Sequence, residues 1–168
     1  STDDPESMIG LTLGFSWKNW EVNTQWTGAW NVSRMISDVF RQPFVSSAGS
    51  NAGGLLSYHL DHTWTPENPS QSAEYPRATQ VNASNNYATS TLFEKDAKYL
   101  RLKTLQVAYN FQFPLMKKLG LTTCQLAFSG YNLLTFSPYL WGDPEATASN
   151  APTYPLTKTY TLSLKLGF

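Results

Sequence analysis

Cysteine is nearly absent from the sequence: Cys124 is the single one among 168 residues. That excludes an internal disulfide framework and a zinc site built on cysteines. Cys124 reads as a small apolar side chain in a strand, because both histidines lie far from it in sequence and a nucleophile needs a base. Charge is also scarce, at 14% of residues against about 25% in an ordinary soluble domain. Twelve basic residues balance twelve acidic ones, so the net charge is zero. A nucleic-acid binder would show a basic excess, and a disordered tail would be rich in charge and poor in aromatics. No run approaches the roughly 20 apolar residues of a transmembrane helix. The start, Ser1-Thr2-Asp3-Asp4-Pro5-Glu6, has neither the basic residues nor the apolar stretch of a secretion signal. We therefore expect either a removed signal or a chain that begins within a longer protein. GxSxG, HExxH, a phosphate loop and a carboxylate pair at a defined site are all missing, so no catalytic constellation is visible. His59, Asp61 and His62 resemble metal ligands only superficially, since their spacing matches no standard site. The expectation is a protein that is not an enzyme and carries no cofactor or metal.

Aromatics, by contrast, are abundant: six Trp, nine Tyr and nine Phe make up 14% of the chain. A neutral, aromatic, weakly charged chain is awkward as a free monomer, because solubility favours a net charge away from zero. Something other than water should face part of this surface.

Hydrophobic periodicity carries most of the remaining information. From Met8 to Trp17, Ile9, Leu11, Leu13, Phe15 and Trp17 alternate with Gly10, Thr12, Gly14 and Ser16. This period of two predicts a strand. Lys18-Asn19 reads as a tight turn into a second strand, in which Trp20, Val22, Thr24, Trp26, Gly28 and Trp30 share a face. A third segment spans about 99–113; Leu100 and Leu102 lie on the opposite parity from Leu105, which predicts a bulge near Lys103-Thr104. Pro114 ends it, since proline donates nothing to a ladder. Leu115 to Gly120 reads as one helical turn. The fourth and fifth segments run over about 121–134 and 156–168 and alternate in the same way. The segments reach 10–15 residues, beyond the usual soluble length of about 5–6. Their polar faces are small and uncharged, and aromatics gather near their ends, as in a membrane barrel, whose strands need only about 9–11 residues.

The connections alternate between short and long. Two are brief, at 18–19 and 114–120; two are long, at about 31–98 and 135–155. Outer-membrane barrels pair short periplasmic turns with long extracellular loops. The 31–98 loop is too long to be a mere connection, and Leu55 to His62 within it reads as a short helix. Asn31-Val32-Ser33 and Asn82-Ala83-Ser84 match the glycosylation pattern, which is short enough to arise by chance.

Several ordered strings carry a family resemblance. They are Trp64-Thr65-Pro66-Glu67-Asn68-Pro69 with Tyr75-Pro76-Arg77, Asp96-Ala97-Lys98-Tyr99-Leu100-Arg101-Leu102-Lys103-Thr104-Leu105, and Ser129-Gly130-Tyr131-Asn132-Leu133-Leu134-Thr135-Phe136. Asp143-Pro144-Glu145, Tyr154-Pro155 and the closing Tyr160-Thr161-Leu162-Ser163-Leu164 add to them. Together they resemble the C-terminal part of SusC/RagA-family TonB-dependent outer-membrane transporters. The resemblance implies an all-β fold: five antiparallel transmembrane strands forming the C-terminal part of a large outer-membrane β-barrel of the 22-stranded type. It implies import of oligosaccharides or peptides at the bacterial outer membrane. The implied partners are the remaining strands and plug of the same barrel, a SusD-like surface lipoprotein, TonB acting through the absent plug, the barrel-assembly machinery and lipid. No nucleic acid is implied.

Site residues follow by position. Trp64, Tyr75 and Arg77 are candidates for touching substrate or lid, because aromatics stack on sugars and arginine grips carboxylates. Trp17, Trp20, Trp30, Phe111 and Phe113 are candidate membrane-interface aromatics. Tyr160, Leu162, Leu164, Leu166 and Phe168, at two-residue steps, resemble a C-terminal assembly signal. The competing expectations are a secreted all-β carbohydrate-binding module and, with less behind it, an outer-membrane hydrolase using Asp61 and His62.

Overall fold

The computed structural model describes residues 4–43, 55–79, 83–146 and 156–168. In chain order the elements begin with strands β1 (Ser7–Trp17), β2 (Trp20–Trp30) and β3 (Ser33–Met35). Short helices α1 (Asp38–Arg41), α2 (Ser57–His62) and α3 (Ala83–Asn86) follow. A single 3-10 turn, Thr91–Phe93, then leads into β4 (Glu94–Asp96) and β5 (Tyr99–Asn110). Helix α4 (Leu115–Lys118) and strands β6 (Thr123–Phe136) and β7 (Thr159–Gly167) complete the order. They belong to two compact units: a sheet unit of 5–30, 98–137 and 156–168, and a loop unit built from 31–97 and 138–155.

The sheet unit is one antiparallel sheet of five strands in the order β1-β2-β5-β6-β7. β1 and β2 join through Lys18 and Asn19, with Lys18 at φ 53°. Lys103 is the extra residue that shifts register: Gln25 pairs with Thr104 and Trp26 with Leu102. Across β6, Leu102 meets Leu134 and Thr104 meets Tyr131, and Asn132 opposite the bulge adopts φ 53°. Asparagine tolerates that left-handed conformation better than a branched residue does. The bulge brings Leu100, Leu102, Leu105, Val107 and Tyr109 onto a single face despite their parity change. Gly28 marks a close approach, since a Cβ there would stand 2.9 Å from the Tyr99 carbonyl oxygen. β5 stops at Asn110, short of Pro114, and Phe111 N–H still donates to the Cys124 carbonyl at 2.8 Å.

Register turns the alternation into two faces. Leu11 pairs with Trp26, Phe15 with Val22, Val107 with Phe128 and Phe128 with Leu162. One face is thus apolar across all five strands, and much of it is exposed: Phe15 at 63%, Leu162 at 71% and Leu164 at 62%. The other face carries small polar groups and a ladder of amides. Asn110 Nδ2 donates to Glu21 Oε1 at 2.8 Å, and Gln125 Nε2 donates to Asn110 Oδ1 at 2.9 Å.

The sheet corrects one expectation. The five strands do not close into a barrel; among the described residues they make an open sheet with β1 and β7 at its edges. The reason is geometric: five strands are fewer than the eight of the smallest bacterial barrels, so neither edge can reach the other.

The loop unit has its own small core and its own two-stranded sheet, β3 with β4. Ile36, Tyr75, Tyr87 and Phe93 are buried there, with Met35, Tyr58, Tyr139 and Trp141 packed around them. Ile36 N–H donates to the Phe93 carbonyl at 3.0 Å, and Ala97 N–H to the Val32 carbonyl at 2.9 Å, which extends the strand pairing at both ends. The segment expected as a long loop with one short helix is therefore folded around aromatic side chains, and the helix is present as α2. Asn82 and Tyr154-Pro155 lie outside the described residues.

Candidate functional site

Helix α2 positions a connected polar cluster in the loop unit. Its spacing puts Tyr58 and His62 on one face, four residues apart, and their rings stack at 3.8 Å with 6° between planes. Tyr58 Oη donates to Glu74 Oε1 at 3.0 Å, and Lys95 Nζ of β4 donates to Glu74 Oε2 at 3.1 Å. His62 Nε2 lies 4.0 Å from the same carboxylate. Lys95 also sits 5.3 Å from the centre of the Trp141 ring. Below this, Trp141 Nε1 donates to Tyr75 Oη at 3.2 Å, and Tyr75 Oη donates to the Phe40 carbonyl at 3.0 Å. One carboxylate thus ties α2, the Glu74 segment and β4 together.

The charges respond to that arrangement. Burial, helped by the Glu74 carboxylate, pushes the Tyr58 phenol from 10.0 up to about 12. Burial alone would raise Glu74, but the hydrogen bonds from Lys95 and Tyr58 outweigh it and hold the carboxyl below its ordinary value. A carboxylate depressed by folding stabilises the fold above its unfolded pKa and loses that contribution as pH falls through the folded value. A phenol raised by folding contributes below 10 and loses it as pH climbs towards about 12. The loop unit should therefore loosen at both extremes. Near-ultraviolet circular dichroism should show the acid-side change shrink in Glu74→Gln. The phenolate absorbance difference between the protein and Tyr58→Phe should reveal one tyrosine with a midpoint near 12.

The sequence-chosen residues fall in several places. Tyr75 is 1% exposed and belongs to the core. A bridge to Thr63 and a hydrogen bond from Trp64 N–H to the Tyr75 carbonyl at 3.0 Å hold Trp64 beside it, with the Trp64 side chain half-buried. Arg77 is exposed, and its carbonyl accepts from Tyr87 Oη at 3.4 Å. His59 has both ring nitrogens committed: Nε2 donates to the Phe40 carbonyl at 2.7 Å, so Nδ1 is free to accept from Leu56 N–H at 3.3 Å. His62 Nδ1 faces the Tyr58 carbonyl at 2.9 Å and must donate to it. Among the described residues no three His, Cys, Asp or Glu side chains could hold a metal ion. In the Asn31-Val32-Ser33 motif, Val32 and Ser33 are buried.

The interface aromatics gather mainly at the turn end of the sheet. Trp17 pairs with Trp20 across the turn, and Lys18 Nζ lies 4.5 Å from the Trp17 ring centre. Trp20 packs edge-on against Tyr109 at 4.8 Å, and Tyr109 against Phe111 at 4.8 Å. Phe113 follows at the same end, partly exposed, whereas Trp30 pairs with Ser7 at the opposite end. Tyr160, Leu162, Leu164 and Leu166 all lie exposed on β7, with Phe168 exposed just beyond it. The sequence reading missed Tyr58, Glu74, Lys95 and Trp141. They stand far apart in the chain, and only the fold of the loop unit brings them together.

No family model matches the sequence. Two curated relatives do, over essentially all of it. The TonB-dependent receptor P3 of Formosa agariphila is 26% identical over 177 residues, covering 98% of this chain and 16% of the receptor. The TonB-dependent receptor P26 of the same organism is 28% identical over 194 residues, covering 100% of this chain and 18% of the receptor. The chain is thus similar along its whole length to TonB-dependent receptors. It spans less than a fifth of the length of these receptors. The fold matches a part of solved transporter structures in the same proportion. The RagAB peptide importer in its closed-closed state superposes with a TM-score of 0.73 at 24% identity, over 99% of this chain and 18% of the importer chain. The RagAB peptide transporter gives 0.64 at 23% identity, over 95% and 17%.

Proposed function

We propose that this chain serves TonB-dependent nutrient uptake at the bacterial outer membrane, importing oligosaccharides or peptides together with a SusD-like surface lipoprotein. The observation that carries this reading is the inverted sheet: its apolar face is exposed while its opposite face is small and polar. A soluble sheet buries the first and wets the second. Homology to TonB-dependent receptors along the whole chain supports the same reading. The apolar face then meets hydrocarbon, with Trp17, Trp20, Trp30, Phe111 and Phe113 at its borders. The loop unit is the part offered to cargo or lid. Trp64 and Arg77 are its candidate contacts, and Tyr75 anchors them from the core. TonB supplies the energy through a region outside this chain. Tyr160, Leu162, Leu164, Leu166 and Phe168 present an alternating apolar stretch to the outer-membrane assembly machinery.

Fractionation of the native cells tests the proposal. The protein should be recovered with the outer membrane, crosslink to a surface lipoprotein, and be needed for growth on one oligosaccharide or peptide source in a TonB-dependent way. Recovery as a soluble monomer without detergent would overturn it in favour of a secreted binding module.

A further inference from the structure

The turn end of the sheet holds a cavity of about 630 Å³ between the ends of β5 and β6 and helix α4. That is within the range of small-molecule sites, about 300–1,000 Å³. Phe111, Phe113, Pro114, Met116, Leu121 and Cys124 supply its apolar wall. Its polar contributors are uncharged. Asn110 already spends both ends of its amide on Glu21 and Gln125, which leaves Gln112, Thr122 and Thr123. An ion would find no counter-charge in this lining, and a sugar would find few convergent polar groups. The cavity continues the apolar face of the sheet. Cys124 pairs with Leu166 on that face, and Phe111 touches Tyr109 edge-on at 4.8 Å.

We infer that this cavity seats an acyl chain of a membrane phospholipid, a proposal that rests on the lipid-facing placement of the sheet. Cys124, half-buried and the only cysteine in the sequence, serves as the reporter. The full chain in mild detergent is titrated with palmitoyl lysophosphatidylcholine while the reaction of Cys124 with a maleimide is followed. At about ten times its dissociation constant the lipid should slow the reaction about tenfold, because Cys124 lines the cavity and a seated chain would cover its thiol. The hexanoyl analogue, too short to fill the cavity, should protect little. Met116→Trp fills the space and should abolish the lipid-dependent part of the protection. Leu115→Trp, at an exposed position of the same helix, should leave it intact. The comparison of chain lengths needs no variant, so a misfolded Met116→Trp does not spoil the test. Equal protection by both lipids, absent protection, or protection that survives a folded Met116→Trp would each overturn the proposal. Partitioning into phosphatidylcholine vesicles is measured alongside. A chain that partitions but shows no protection loses the cavity proposal alone, whereas one that fails to partition loses the lipid-facing reading itself.

Discussion

Leu162→Arg is expected to cut partitioning of the protein into phospholipid vesicles by about 30-fold to several hundred-fold. Leu162 is 71% exposed and stands mid-strand on the apolar face, opposite Phe128. An arginine held in hydrocarbon costs about 2–4 kcal/mol, and each 1.4 kcal/mol is about a factor of ten. The matched control is Ser163→Arg, one residue on, which strand geometry sends to the other face. Ser163 pairs with Ala127 among small residues, so a charge there should change partitioning little. Both variants add the same charge to the same exposed strand, and net charge or strand propensity cannot tell them apart. Vesicle flotation of the two, side by side, gives the answer. Equal losses would mean that the exposed leucines of β7 do not meet lipid.

The same parity argument explains why the sheet was legible before any coordinates. Alternation such as Ile9-Leu11-Leu13-Phe15 depends only on the two-residue period of a strand, which is a local property. The change of phase between Leu102 and Leu105 located the bulge, because one inserted residue flips every later side chain. Closure into a barrel was a different kind of inference. Strand length, aromatic ends and alternating loop lengths suggested it and the family resemblance supplied the strand number, but none of these patterns reports which edges meet, and the open edges of β1 and β7 correct it.

The loop unit was hidden for the opposite reason. Its core residues Ile36, Tyr75, Tyr87 and Phe93 are scattered over nearly sixty positions and show neither period two nor period 3.6. Its helices are 4–6 residues long, too short to display an amphipathic stripe. Aromatic residues spread through polar sequence read as loop decoration until the fold gathers them. Tyr75 and Arg77 illustrate the limit. The sequence grouped them by proximity and chemistry, but only the fold makes Tyr75 a core residue and leaves Arg77 at the surface.

That small core should be fragile, and Phe93→Ala is the substitution that exposes it. Phe93 is 1% exposed, lies 6.1 Å from the Tyr75 ring and 6.4 Å from the Tyr87 ring, and receives the Arg41 guanidinium at 5.9 Å. Removing a buried phenylalanine costs about 3–5 kcal/mol, since the cavity left behind adds to the lost transfer energy. Few other buried side chains share the load, so the loss falls on one cooperative unit. Hydrogen exchange of the Ile36 and Ala97 amides, both bonded across the β3–β4 region, should accelerate by about 100-fold to several thousand-fold, or up to full opening where the unit is less stable than that. Amides of the β1–β2 pair, which belong to the other unit, should keep their rates. Leu92→Ala, next door but 43% exposed, should change neither set. Acceleration of the sheet amides together with the loop amides would show that the two units open as one. In that case the loop could not rearrange around a cargo while the sheet stays in place.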